Sequence, residues 1–378
     1  AVTSKSGYLY VFDINGLKFD YNGEYYLIAT PVIGNIDDDE ELEIVFGGYN
    51  SSSPLFAINH DGSDVEGFPL FLGEKCKAGP ALADFNDNGK DDIVIGTDDD
   101  NLYLIYDNGE FAPGFPYVST DKIQVAPSIA EHDGQKVIFF GNIAGEFIAI
   151  NDDGSLRFQY NSNDRINTSP SFINVNESLH VLFGSKVDSL YMFDIHGNET
   201  LRYPVNGNIE GGIIVADLDG DENAEIIASM DGGEILALTL DGSLYHHFPL
   251  KNDLPFTGAP IVMDIDQDED LEIMSGVLNG LVAIDVKDRG VSMNHWNMYR
   301  GNNKRNGYFI FPNTFDCSVS MGDVNGDEAI NVLDLVQISY YILEYGNLNF
   351  TCAADINEDD NIDILDLVVL INFILNNN

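Results

Sequence analysis

Oxygen-bearing side chains recur at alternate positions in four short loops of this chain. Asn35, Asp37, Asp39 and Glu43 stand at positions 1, 3, 5 and 9 of the first such loop. Asp84, Asn86, Asn88 and Asp92 repeat the spacing, as do Asp217, Asp219, Asp221 and Glu225, and then Asp264, Asp266, Asp268 and Glu272. A tight loop with alternate acids aims its oxygens at one point, and Ca2+ takes about six to eight oxygens at roughly 2.3–2.6 Å. The backbone carbonyl at position 7, on Glu41, Lys90, Asn223 and Asp270, completes each cage. Mg2+ suits such loops less, because it resists being stripped to an all-protein shell. Position 6, where glycine eases a sharp turn, is Gly89 in one loop but Glu40, Glu222 and Glu269 in the others, which strains them and weakens binding. The stretches that correspond at residues 131–135 and 174–178 lack the alternation, so no metal is expected there.

Two longer loops near the C-terminus follow a related rule. Asp323, Asn325, Asp327, Asn331 and Asp334 supply side-chain oxygens at positions 1, 3, 5, 9 and 12, with the Ala329 carbonyl at position 7. Asp355, Asn357, Asp359, Asp363 and Asp366 do the same, with the Asn361 carbonyl at 7. This is EF-hand spacing, and the loops are a tandem duplication. With the four earlier loops they make six expected calcium sites. Cys317 and Cys352 each precede one of these loops. A bridge between them would staple the two halves and fit an oxidising, extracellular setting; two reduced buried cysteines are the alternative. Cys76 is left over.

The elements that must carry these loops are legible as a repeat. An alternating apolar strand running into an Asp-Gly or Asn-Gly turn occurs seven times, first at residues 8–16 (YLYVFDING) and last at 281–290 (LVAIDVKDRG). The closing glycines at 16, 62, 109, 154, 197, 242 and 290 fall 43 to 48 residues apart. The turns read as two-residue hairpins, which need positive φ and so favour Asn, Asp and Gly. Each repeat opens beside Pro31, Pro80, Pro127, Pro170 or Pro260, with Gly211-Gly212 in the sixth copy. An acidic loop, a β-rich run and the signature strand follow, and several copies close on a short Pro-containing strand. Four strands in a period of that length are the content of one propeller blade. The expected fold is an all-β seven-bladed β-propeller over residues 1–311. The first repeat's opening strand would fall before residue 1, so that blade is expected to be incomplete. After a linker at 312–317, residues 318–378 form a small α-helical domain, with helical periodicity over 335–343 and 367–375.

Composition limits the function. The 17 basic and 63 acidic residues leave a net charge of −46, which repels nucleic acid and anionic membranes and attracts cations. No apolar run approaches the roughly 18–20 residues of a membrane-spanning helix. The motifs of zinc proteases, serine hydrolases, P-loop enzymes and dinucleotide-binding folds are absent. His246 and His247, taken as strand neighbours, would face opposite sides and not share a site.

At these residues two resemblances become clear. Residues 1–311 resemble the FG-GAP/VCBS repeats of integrin-like propellers, carried best by residues 8–16, 217–225 and 264–272. Residues 295–301 (HWNMYRG) and Gly307-Tyr308 resemble the tail that closes many bacterial propellers of this kind, and there Trp296 reads as packing. The tail, about 318–376, resembles a type I dockerin, whose loops close on Asp as Asp334 and Asp366 do here. The first resemblance implies extracellular adhesion or carbohydrate binding. The second implies docking to a cohesin-like module through Val332-Leu333 and Ile364-Leu365, just before each closing Asp; packing of these pairs on the chain's own propeller is the alternative. The function expected is a secreted, calcium-binding, non-catalytic binding or assembly protein, whose partners are a cohesin-like module or neighbouring copy, or an extracellular polysaccharide. A calcium-dependent polysaccharide lyase, or the binding tail of a longer secreted enzyme, is the runner-up.

Overall fold

The computed structural model describes residues 1–378 except 40, 51–53, 177, 187–188, 269, 293–294, 312–319, 327–328, 344–347, 349–352, 355, 357–361 and 377–378. The chain divides into two compact units, Ala1–Phe311 and Pro312–Asn378.

The first unit is built from seven β-sheets in chain order. Sheet 1 holds β1 (Val2–Thr3), β2 (Tyr8–Asp13) and β3 (Gly16–Asn22). Sheet 2 holds β4 (Val32–Gly34), β5 (Glu43–Gly47), β6 (Pro54–Ile58) and β7 (Leu70–Phe71); sheet 3 holds β8 (Ala81–Ala83), β9 (Asp92–Gly96), β10 (Asn101–Ile105) and β11 (Tyr117–Val118). Sheet 4 runs β12 (Ser128–His132), β13 (Gln135–Gly141), β14 (Glu146–Asn151) and β15 (Leu156–Asn161), and sheet 5 runs β16 (Ser171–Val175), β17 (Ser178–Gly184), β18 (Ser189–Asp194) and β19 (Glu199–Pro204). Sheet 6 has β20 (Ile209–Ala216), β21 (Glu225–Met230), β22 (Glu234–Leu238) and β23 (Leu250–Lys251), and sheet 7 has β24 (Ile261–Met263), β25 (Asp270–Val277) and β26 (Gly280–Arg289). Neighbouring strands within each of these sheets pair antiparallel as consecutive hairpins, and a late strand, β27 (Tyr308–Ile310), adds in parallel to β12. The signature strands are β2, β6, β10, β14, β18, β22 and β26. Sheet 1 thus has no counterpart of the other sheets' first strand among the described residues, and sheet 7 ends at its signature strand.

The first signature turn is the expected two-residue hairpin, with Asp13 paired to Gly16 across Ile14-Asn15, whereas five later ones differ. In β14–β15, Asn151 N–H donates to Ser155 O at 2.9 Å and Gly154 N–H to Asn151 O at 3.0 Å, with a register shift beside Ile150. Gly154 takes φ +79, whereas Asp153 uses its carboxylate to accept Ser155 N–H at 2.9 Å. This is a longer loop ending in a left-handed glycine bulge, so Gly supplies the positive φ and Asp supplies an internal cap. The same bonds recur at Asn59/Gly62, Tyr106/Gly109, Asp194/Gly197 and Thr239/Gly242. His246 and His247 are also not on a strand but in a turn after β22, with His247 at φ 68.

The central strands are continuous runs of buried apolar residues, because both of their faces are covered by neighbouring sheets. Apolar clusters link the sheets in sequence: Leu9 with Phe46 and Phe56, Val45 with Ile93, Val94 with Ile138, Phe139 with Phe183, Val181 with Ile226, and Ile227 with Ile273. The segment after sheet 7 ties the first strands together. Trp296 O accepts Val215 N–H and Asn297 O accepts Val262 N–H, each at 2.9 Å. Lys304 O accepts Ile33 N–H at 2.9 Å, Asn306 O accepts Leu82 N–H at 2.9 Å, and Gly307 O accepts Ile129 N–H at 2.8 Å. Trp296 packs edge-on against Phe172 of β16, with ring centroids 5.2 Å apart. One segment therefore touches the first strands of sheets 2 to 7, which is a propeller-like arrangement.

The second unit contains α1 (Val332–Ile342) and α2 (Ile364–Asn376), packed through Val324, Ile338, Ala353, Ala354 and Leu370. Each helix begins three residues before the expected start. The reason is a capping box: Asn331 accepts Leu333 N–H, and Asp334 returns a bond to Asn331 N–H at 2.8 Å. The apolar pairs thus belong to the first helical turn, not to the loop.

Candidate metal centres

Three of the four short loops gather carboxylates. One oxygen from each of Asp37, Asp39 and Glu43 lies within 4.8 Å of the others, and the same holds for Asp217, Asp219 and Glu225, and for Asp266, Asp268, Asp270 and Glu272. Each loop leaves its first strand at position 1 and enters its second strand at the closing acid or just before it. Antiparallel pairing such as Gly34↔Glu43 and Ala216↔Glu225 therefore brings the two ends together.

The closing acid performs the same task every time. Glu43 accepts Ile36 N–H at 2.7 Å, Glu225 accepts Leu218 N–H at 2.8 Å, and Glu272 accepts Ile265 N–H at 2.7 Å. Asp92 accepts Phe85 N–H at 2.7 Å. These acids are buried, and burial together with the nearby loop carboxylates pushes Glu43 up to about 7 and Glu225 up to about 8. Asp92 is pushed up to about 7, again mainly by burial. A divalent cation would remove this penalty by pairing the ionised oxygens.

Two loops show oxygens waiting for such a partner. Asn35 Oδ1 and Glu43 Oε1 are buried without a hydrogen-bond donor, as is Asp270 Oδ1. All are hard oxygen donors, so the residues fit Ca2+. Asp270 enters its cluster with its carboxylate, beyond the carbonyl expected of it, and the Asp268 carboxyl beside it raises its pKa. Asp264 instead accepts Gln267 N–H at 2.7 Å, and Asp221 accepts Asn223 N–H at 2.8 Å; neither is among the gathered carboxylates. Asp217 accepts Gly220 N–H at 2.7 Å and Glu222 N–H at 3.0 Å, which orients it into its loop.

The loop at Asp84 differs. Asp84 accepts Asn88 and Gly89 N–H, and Asp92 also accepts Asn86 Nδ2–H and Asp107 N–H. Lys90, expected to offer a carbonyl, sends its ammonium to Asp38 at 2.7 Å and Asp107 at 3.4 Å. Asn88 donates to Asp107 at 2.9 Å. At 131–135 the loop is shortened to a tight hairpin, with His132 paired to Gln135, and in the next sheet Val175 pairs with Ser178.

In the second unit, Asp323 and Asp334 are buried, and Asp334 accepts Val324 N–H at 3.0 Å. Asp366 accepts Ile356 N–H at 2.7 Å and Asp363 N–H at 2.8 Å, which repeats the bonds of Asp334 to Val324 and Asn331. Asp323 also accepts Gly326 N–H at 2.9 Å, and Asn331 Nδ2 donates to the Ala329 carbonyl at 2.9 Å. Asp327, Asp355, Asn357, Asp359, Asn361 and both Cys317 and Cys352 lie outside the described residues. Val332, Leu333, Ile364 and Leu365 are 61%, 59%, 66% and 52% exposed, an apolar pair at the start of each helix.

Residues 321–375 match the sequence profile of the dockerin type I domain. The tail contains a dockerin type I domain. A dockerin is a calcium-binding docking module, and the duplicated loop-and-helix geometry of this one agrees with that role. No curated protein matches the sequence. Among solved structures, the chain is similar to one in the crystal structure of BBS1N in complex with ARL6DN, soaked with lead. That likeness has 13% identity, covers 75% of this chain and 85% of the other, and has a TM-score of 0.52. The computationally designed Ika8 protein is similar at 16% identity, 75% and 79% coverage and a TM-score of 0.50. BamB from Moraxella catarrhalis is matched at 14% identity, 75% and 89% coverage and a TM-score of 0.47. The first two are likenesses of fold alone, and the fold is propeller-like. Among the described residues no helix is long and apolar enough to cross a membrane.

Sequence reasoning did not find the Lys90 ammonium between two acids, nor the buried Arg300, which donates to Pro80 O at 2.6 Å and Arg305 O at 2.8 Å. Neither belongs to a local pattern, since their partners come from distant parts of the chain or from a kinked segment. Trp296, 2% exposed, packs in the core with Phe172 and Phe309.

Proposed function

We propose that the chain is an extracellular, non-catalytic binding component. Its dockerin attaches it to a cohesin module, and its β unit, an FG-GAP/VCBS-like seven-bladed propeller, is the ligand-binding scaffold stiffened by calcium. The observation that carries the docking half is the exposure of Val332-Leu333 and Ile364-Leu365 at matching positions of two helices. On a protein of net charge −46 such a duplicated apolar patch is a docking surface. Calcium is required because Asp334 and Asp366 fix the loops that start those helices.

Six calcium sites are part of this reading, four in the β unit and two in the dockerin. Secretion follows from the usual extracellular setting of dockerin proteins, and a bridge between Cys317 and Cys352 belongs to the same proposal. The decisive experiment is capture of the full chain on an immobilised cohesin module, in calcium and in EDTA, with a variant carrying Asp at all four apolar positions. Calcium-dependent capture that the variant loses, with the β unit's melting unchanged, supports docking. Capture that ignores both changes, or a variant that melts the β unit instead, refutes it and makes the pairs packing residues.

A further inference from the structure

The β unit has a polar cavity that the calcium loops do not explain. Its volume is about 170 Å3, and it sits where the segments leading into the first strands of sheets 2 to 6 converge, with Tyr299 from the connecting segment among them. Four wall positions are equivalent in the repeat, each three residues before a proline: Ile28, Lys77, Gln124 and Asn167 precede Pro31, Pro80, Pro127 and Pro170. The backbone there repeats while the side chain changes from apolar to cation to amide. The residue before each of these is instead uniformly buried, as Leu27, Cys76, Ile123 and Ile166. The fold thus dictates an apolar residue at the neighbouring position and leaves this one open to carry recognition.

The chemistry at that position selects a ligand. Lys77 Nζ and Arg165 Nη2 both donate to Gln124 Oε1, at 2.9 and 3.2 Å, and Gln124 donates to Asp98 at 2.6 Å. Two cations therefore meet on one neutral oxygen, and Arg165 Nε is buried without an acceptor. Among the described residues Lys77 is the one charged side chain lining the cavity, in a chain with 17 basic residues against 63 acidic. Burial and the neighbouring Arg165 lower its pKa, against the Asp98 carboxylate, which raises it. The surrounding acidic surface excludes polyanions. The volume is below the ~300 Å3 at which drug-sized sites begin, so one small ring fits.

Asn167 Nδ2 already donates to Asn208 Oδ1 and Ile209 O, at 3.1 and 3.3 Å, which leaves its Oδ1 as the acceptor. We infer that this cavity binds a single hydroxylated carboxylate, a sugar acid, with the carboxylate on Lys77 and the hydroxyls on Gln124 Nε2 and Asn167 Oδ1. The inference deepens the reading of the β unit as a binding scaffold and rests on it. Titration calorimetry of the full chain in calcium, with D-glucuronate, D-galacturonate and uncharged D-glucose as probes, tests it. We expect a sugar acid to bind saturably, and glucose roughly tenfold or more weaker. Lys77→Gln should lower sugar-acid affinity by roughly 10- to 100-fold, the loss for one charge-assisted hydrogen bond. Lys122→Gln, which makes the same charge change outside the cavity lining, should bind as the parent does. No binding by the folded parent, equal binding of glucose, or indifference to Lys77→Gln overturns the inference. Cohesin capture measured on the same preparation separates this failure from that of the docking reading. Binding of neutral sugar at a site insensitive to Lys77→Gln would keep the scaffold but move its site.

Discussion

The Glu225 carboxylate accepts the backbone N–H of Leu218 at 2.8 Å, joining the last residue of an acidic loop to its second. Asp334 does the same for Val324 across a longer loop in an unrelated fold. In both, the closing acid fixes the loop from its far end, and Asp334 uses its second oxygen as well, to accept Asn331 N–H at 2.8 Å. Replacing Glu225 by Gln keeps an acceptor and removes the charge. Without calcium at pH 8, the variant should melt about 1–3 °C higher than the parent, since a buried acid no longer has to ionise. In calcium it should gain less than the parent gains. Differential scanning calorimetry with and without EDTA reads both signs, and a variant that loses stability in EDTA contradicts the assignment.

The pH dependence follows from the same acids. Glu43 and Asp92 are raised to about 7 and Glu225 to about 8, above their unfolded values of about 4. Between those limits the folded state binds more protons than the unfolded one, so stability falls as pH rises. In EDTA, urea midpoints of the β unit should therefore decline from about pH 4.5 to about pH 8. Saturating calcium should flatten that slope or reverse it, because it holds the ionised form. A slope of the same steepness in both conditions would show that the acids are not calcium ligands.

Much of this was legible in the residues themselves. The period, the signature strands and the alternate acids are local patterns, and the seven sheets and three gathered clusters appear where those patterns lie. What was not legible depended on pairing over distance. The Asp-Gly turns look like two-residue hairpins until the Asn151–Ser155 bond shows a longer loop. Lys90 reads as one loop position, yet its ammonium bridges acids 52 residues before it and 17 after it in the chain, at Asp38 and Asp107. The cavity lining is drawn from five repeats and a tail, so no window of sequence contains it. The helix starts were missed because periodicity marks the buried stripe, whereas Asn331 and Asp334 set the cap.

The loop at Asp84 should fill last. Its two carboxylates are already engaged by loop N–H groups, and the Lys90 ammonium stands against it. Native mass spectrometry at rising calcium should show one ion of the β unit binding after the others. Lys90→Ala should tighten that step about two- to fivefold, the scale of one exposed ion pair. A loop that fills together with the others, unaffected by the substitution, would mean that Lys90 offers only its carbonyl.

Asp334 and Asp366 are buried, and among the described residues Asp334 holds the backbone N–H groups of Val324, Asn325 and Asn331 and Asp366 those of Ile356 and Asp363. Changing either to Ala removes a closing ligand together with the cap of the helix that follows. Each single variant should lose part of the calcium-induced ellipticity at 222 nm, and the double variant nearly all of it. The β unit should be untouched. Full helicity in the double variant would show that packing around Leu370 and Ile338 suffices without the loops.

Trp296 is the chain's one tryptophan, and its emission reports on the segment that joins the sheets. Its carbonyl accepts Val215 N–H while its ring packs against Phe172 and Phe309, so it fastens sheets 5 and 6 at a point beside the bond from Asn297 to sheet 7. Removing a buried aromatic of this size costs about 3–5 kcal/mol through lost burial and the cavity left behind. Trp296→Ala should therefore bring down the melting of the whole β unit as one transition, whereas Trp296→Phe should recover part of the loss. In the parent, emission should be blue-shifted in calcium and should red-shift at the same temperature as the loss of β-sheet ellipticity. A tryptophan signal that changes well before the sheets melt would show that the segment is a detachable strap, and that the sheets hold together through their own shared clusters.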